Sequence, residues 1–135
     1  MANTPLRAES ARDNSTDTLI EQAWQTRRAA YDRYNALPFS EDPNVAETPE
    51  ERAEWAIIDQ IEETIRSTVA STPRGAAIQL WTALQHTVTS RPDEAAALRR
   101  DLQHFQIEHH HDWDVRLILA ALRSLEAMEA GHGRA

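Results

Sequence analysis

Residues 48–88 read TPEERAEWAIIDQIEETIRSTVASTPRGAAIQLWTALQHTV, and this stretch decides the fold. At Thr48-Pro49 and again at Thr72-Pro73, a hydroxyl residue is followed by proline and then by apolar residues at helical spacing. A threonine hydroxyl accepts from the free N–H groups of a first helical turn, and proline at the first helical position sacrifices no hydrogen bond. The first start opens a helix with Ile58, Ile61, Ile65 and Val69 as its seam, flanked by Trp55 and Ile57. The second presents Ala77, Leu80, Trp81, Leu84 and Val88. Steps of three and four place each set on one face, and the short connection between them predicts antiparallel neighbours.

Upstream, Thr18 and Glu21 have capping-box spacing, so a helix is expected from Thr18, with Ile20, Trp24, Arg27, Tyr31 and Tyr34 on one face. Leu37-Pro38 ends it, because the residue before proline is driven out of the helical region. Three prolines within residues 38–49 mark a connection that Phe39 is expected to pin to the core. Residues 1–16 are polar and aperiodic and read as a disordered arm.

Downstream, Ser90-Arg91-Pro92 starts a fourth helix carrying Ala95, Leu98, Leu102 and Phe105, a narrow seam that suits an outer position. A fifth, from about Asp112 to Ala130, is apolar over a wide arc through Val115, Leu117, Ile118, Leu119, Leu122, Leu125 and Met128, with Gly131 as its expected terminator. No segment alternates with period two. The fold class is therefore all-α: a small bundle of about five helices in one domain over residues 17–130, with a disordered N-terminal arm and a tail at 131–135. Trp24, Trp55, Trp81 and Trp113, each on a different helix, are expected in the core.

Composition excludes several functions. Cysteine is absent, which rules out disulfides, zinc ribbons, thiol nucleophiles and iron–sulfur clusters and fits the cytoplasm. With only Gly75, Gly131 and Gly133, no glycine-rich phosphate loop exists. The N-terminus has no apolar leader, and Leu117–Leu122 is far too short to span a bilayer. All fourteen basic residues are arginine, a bias expected of GC-rich bacterial or phage coding. No catalytic motif is present, and His86, at the edge of the third helix's stripe, reads as a structural histidine.

Charge is distributed unevenly. Residues 41–63 hold nine acids against Arg52 alone, while the rest of the chain holds thirteen of each sign, so the net charge of −8 lies in that stretch. Acids in the first turn of a helix favour its dipole, and Glu62 is expected to pair with Arg66 one turn on. The functional reading is an acidic surface, comprising Glu50, Glu51, Glu54, Asp59, Glu62 and Glu63, for a partner protein with a basic surface. The protein would then act as a regulator, adaptor or inhibitor. Nucleic acid finds no basic footprint here, although Arg99 and Arg100 are the best-placed cations. An exposed seam pairing with itself would make a homo-oligomer.

The alternative reading is a transition-metal protein. Residues 104–114 contain four histidines, and His104, Glu108, His110, His111, Asp112 and Asp114 supply nitrogen and oxygen donors suited to zinc, nickel or iron. A fourth helix continuing through this run would put His104, Glu108 and His111 on one face. An exposed turn whose aspartates cap the next helix is the competing structure.

Overall fold

The computed structural model describes the backbone of residues 3–106 and 110–134 and the side chains of 17–106 and 110–131. Five α-helices follow one another: α1 (Asn3–Ala36), α2 (Pro49–Ser67), α3 (Pro73–Thr87), α4 (Arg91–Leu98) and α5 (Trp113–Arg134), with a 3-10 turn at Leu102–Phe105. No strand occurs among the described residues. The starts of α2, α3 and α4 are capped by the same chemistry. Thr48 Oγ1 accepts from Glu51 N, Thr72 Oγ1 from Gly75 N and Ser90 Oγ from Asp93 N, each at 3.2 Å, with proline in the first two helical positions. Each such cap contributes about 1 kcal/mol.

α1 and α2 form an antiparallel pair, seen in the pairing of Asp17 with Ser71, Arg27 with Glu62 and Arg33 with Glu54. α3 returns beside α2, where Gln79 donates to the carbonyls of Ile65 and Thr68 at the helix end. It also packs on α4 and α5. The core collects Ile20 and Trp24 of α1, Ile65 of α2, Ile78, Trp81 and Leu84 of α3, Phe105, and Leu119 and Leu122 of α5. Each large apolar side chain buried there stabilises the fold by roughly 1.5–3 kcal/mol. A smaller cluster of Ala30, Tyr31, Ile58 and Leu98, with Trp55 against it, closes the other end of the α1–α2 pair.

Several expectations are corrected. Thr18 lies within α1, and the preceding residue does the capping elsewhere: Asp17 accepts from the Ser71 amide at 3.1 Å and from the Thr72 hydroxyl at the entry to α3. A Cβ on Gly75 would come within 2.8 Å of Asp17 Oδ1, so glycine is needed for this close approach. The expected arm over residues 1–16 falls outside the described side chains. α4 ends at Leu98, well before Leu102 and Phe105, and it is not an outer helix, since Ala96, Ala97 and Leu98 are buried. Phe39 stands 89 % exposed, pinning nothing, and Val69 lies past the end of α2 in solvent. α5 continues through Gly131, which therefore does not end it.

Trp24 and Trp81 are buried and Trp55 is partly so, but Trp113 is 76 % exposed. With Leu117 and Met128, it belongs to a row that includes Ala120 and Ser124, on the side of α5 away from Val115, Leu119 and Leu122. No charged residue interrupts this row.

α4 stops in a turn that its sequence does not advertise. Arg100 takes the left-handed conformation, φ 56°, while Arg100 N bonds Ala97 O and Asp101 N bonds Ala96 O, the pattern in which helices usually carry glycine. The side chain explains why arginine sits here. Its guanidinium grips Glu21 of α1 with two hydrogen bonds of 3.0 and 3.1 Å and lies 5.5 Å from the centre of the Trp24 ring. Burial pushes the Glu21 carboxyl upward, but Arg100 and then Arg74 outweigh it, leaving its pKa below the ordinary 4.5. A carboxylate with a depressed folded pKa stabilises above its unfolded pKa and loses that contribution as pH falls through the folded value. Stability measured by urea unfolding should therefore drop below about pH 4.5, and Glu21→Gln should flatten that slope while lowering stability at pH 7.

Candidate functional site

α2 has two sides, and the acids of residues 41–63 are divided between them. Ile58 and Ile65 face the core, and Glu62, four residues after the first and three before the second, shares their side. Its carboxylate accepts from Arg27 Nε at 2.9 Å and lies 3.5 Å from the Tyr31 hydroxyl, while its other oxygen is 3.0 Å from His86 Nε2. The expected Glu62–Arg66 pair does not form, because Arg66 pairs with Glu63 and Glu62 turns inward. Glu54 is spent on Arg33 through two bonds of 2.9 and 3.0 Å, and Glu51 contacts the Thr48 cap.

Arg27 is wholly buried, and its two terminal nitrogens have no hydrogen-bond acceptor. Aromatic faces take that role: the guanidinium carbon is 5.2 Å from the centre of the Trp24 ring and 4.9 Å from that of Tyr31. Burial pushes the Tyr31 phenol up to about 12, with Arg27 opposing and Glu62 reinforcing the shift. Arg27, Glu62, Tyr31 and His86 thus form one polar knot linking α1, α2 and α3.

The remaining acids face water. Glu50 and Asp59 are exposed and have no protein partner among the described residues, and Glu63 is exposed beside Arg66. Ile57, 36 % exposed, lies two turns after Glu50 on the same flank of α2. On the preceding connection, Glu41 and Asp42 accompany the exposed side chains of Phe39 and Val45. Of the six acids singled out by sequence, Glu50, Asp59 and Glu63 are exposed, Glu50 on one flank of α2 and Asp59 and Glu63 on the other, whereas Glu51, Glu54 and Glu62 are engaged within the fold.

The histidine-rich run is not helical throughout. α4 ends at Leu98, so the common face proposed for His104, Glu108 and His111 does not form through its continuation. His104 Nε2 is 2.8 Å from Asp93 Oδ1, and its ring packs edge-on against Phe105. The His111 ring also lies near Phe105, 5.8 Å between ring centres. Burial raises the Asp93 carboxyl, but hydrogen bonds from His104 and Ser90, with charge from His111, bring it below its usual value. Asp112 precedes α5, and Asp114 accepts from Val115 N at 2.8 Å. Glu108 lies outside the described residues. Among those described, no three histidine, aspartate or glutamate side chains assemble into a group able to hold a metal ion.

A cleft of about 570 Å³ opens where the C-terminal end of α1, the start of α2, the end of α3 and α4 meet. Tyr31, Tyr34 and Trp55 form one wall, with Trp55 edge-on to both tyrosines at 5.8 and 5.2 Å between ring centres. His86, Arg91 and Arg99 line the other. A larger hollow of about 810 Å³ lies over Asp17, Glu21, Arg74 and Glu129, and there Arg74 is paired with Glu21 at 3.2 Å.

No family model, curated protein or solved structure matches this chain. No helix among the described residues is long and apolar enough to cross a membrane. Sequence reasoning found the acids and the histidines, and it missed the cleft, whose lining comes from four separate segments with no common spacing.

Proposed function

We propose that this is a protein-binding module whose contact surface is the outer side of α2 with the connection before it, and whose partner carries a basic surface. The observation that supports this reading is the set of exposed acids Glu41, Asp42 and Glu50 accompanied by the exposed Phe39, Val45 and Ile57, with Asp59 and Glu63 exposed on the opposite flank of α2. Glu50 and Asp59, without partners among the described residues, are free to meet arginine or lysine, and exposed acids steer an oppositely charged protein from a distance. The exposed apolar side chains give such an encounter a desolvated centre, where most of the energy of a protein interface is concentrated. Glu62 and Glu54 are not part of this surface, since reversing them would break pairs that hold α1 to α2.

The test is the triple variant Glu50→Arg, Asp59→Arg, Glu63→Arg beside the wild type, each immobilised in lysate of the source organism at low and at high salt. Helicity and melting temperature should stay close to wild type, because substitutions at exposed positions usually cost under about 0.5 kcal/mol each. A basic protein retained by the wild type, released by salt and lost by the variant supports the reading. A partner retained equally by both removes it.

A further inference from the structure

We infer that the outward face of α5 docks a second copy of this chain, the two helices pairing antiparallel about a two-fold axis close to Ala120. Trp113, Leu117 and Met128 are 76, 60 and 54 % exposed, and Ala120 and Ser124 between them are exposed as well. Val115, Leu119 and Leu122 hold the other side of the helix in the core, so this row is not needed to close the fold. A contiguous apolar row with a tryptophan at one end marks a contact surface more often than chance.

Three observations select a second copy as the occupant. The first is the spacing of the row. Trp113 and Met128 are equidistant from the midpoint between Ala120 and Ala121, and so are Leu117 and Ser124. An antiparallel two-fold therefore sets Trp113 against the partner's Met128, a favourable sulfur–aromatic pairing, and Leu117 into the space over the partner's Ser124. Ala120 falls at the axis, where a small side chain lets the two backbones approach. A parallel pair would instead place Ala120 and Ser124 on their own copies and leave a gap between bulky ends.

The second observation is charge. The excess of acid lies in residues 41–63, none of which belongs to α5. Beside the row stand Asp114 on one edge and Arg116 on the other, one charge of each sign, and Arg123 is turned to the Phe105 carbonyl at 3.2 Å. Two copies of an acidic protein meet at least cost where the surface itself is neutral. The third is polar satisfaction. Ser124 Oγ donates to the Ala120 carbonyl of its own helix at 3.0 Å, so covering it strands no hydroxyl, and the Trp113 indole N–H, at the end of the contact, stays within reach of water.

The area sets the strength. The exposed part of the row is on the order of 400 Å² per copy, and the pair buries about twice that, less than the roughly 1,200 Å² of a stable dimer. The association is thus weak and reversible, with a dissociation constant on the order of 0.1 mM. At the micromolar concentrations of an unfolding experiment the copies are apart.

Sedimentation velocity of the full chain in physiological salt, from about 10 μM to about 1 mM, should show monomer giving way to dimer. Leu117→Asp places a charge in the middle of the row and should weaken the dimer at least about tenfold, with helicity unchanged because the residue is exposed. The chain has no cysteine, so single introduced thiols report the arrangement without background. Ala120→Cys, at the axis, should cross-link to itself under mild oxidation. Met128→Cys should not, since the two copies of that position lie about 22 Å apart along an antiparallel pair. A wild-type chain that is monomeric at about 1 mM, a dimer that survives Leu117→Asp, or equal cross-linking by the two cysteine variants would overturn the assignment. The exposed acids of α2 are unchanged in every variant, so failure here is distinct from failure of the acidic surface.

Discussion

Replacing Glu62 with alanine should lower the stability of this protein by about 3–5 kcal/mol, the usual cost of stranding one member of a buried ion pair. Glu62 is the only hydrogen-bonding acceptor that the fully buried Arg27 has among the described residues, and it also faces His86. Without it the guanidinium retains two ring faces but no countercharge. For a domain of this size, the loss corresponds to a fall in Tm on the order of 15 °C. Arg27→Ala should cost a similar amount, by leaving the carboxylate in the same place with only His86 and a long contact to Tyr31. The double variant Arg27→Met, Glu62→Leu separates the two components, the ionic pair and the packing. Replacing both ends of a buried pair with apolar groups is often neutral or stabilising, so the double variant should be more stable than either single one. Denaturant unfolding of all four proteins checks this. A Glu62→Ala protein within 1 kcal/mol of wild type would mean that Arg27 finds water or another acceptor.

The second large effect is expected from two tryptophans that look alike in sequence. Trp24→Ala should cost about 3–5 kcal/mol, because the ring is buried and also lies beside two guanidinium groups, those of Arg27 and Arg100. Trp113→Ala should change stability by no more than about 0.5 kcal/mol, since three quarters of that residue is already in water. The difference between the two unfolding midpoints is the readout. Equal losses would mean that Trp113 is covered in solution.

Helix starts were the most legible feature, because Thr48-Pro49, Thr72-Pro73 and Ser90-Arg91-Pro92 combine a side-chain acceptor with a residue that needs no backbone partner. Helix ends were less so. α4 stops at a left-handed arginine, and the force holding it there comes from Glu21, far away in the chain, so no local signal marks it. Leu102 and Phe105 continued the helical period by accident of the tighter turn that follows. The Arg27–Glu62 pair, in contrast, was available to sequence reasoning. Each is a charge on the apolar side of its helix, and two such residues on neighbouring antiparallel helices are natural partners. Treating all acids of residues 41–63 as one surface hid this. The exposure of Phe39 and Trp113 was not legible, because an aromatic residue reads as core wherever burial is not known. The cleft was equally hidden, because Tyr34, Trp55, Gln85 and Arg99 become neighbours only after four helices have packed.

The row of Trp113, Leu117, Ala120, Ser124 and Met128 on α5 has a colloidal consequence. Two copies of this chain repel through a net charge of −8, an excess contained in residues 41–63, while the outward side of α5 contributes none of that repulsion. Dissolved salt shortens the reach of the charge to about 10 Å at 0.1 M and to about 3 Å at 1 M, but leaves the attraction between apolar faces in place. The balance between molecules should thus turn from repulsive to attractive as ionic strength rises, and salting out is expected to begin on α5 and not on the acidic helix that dominates the chain's charge.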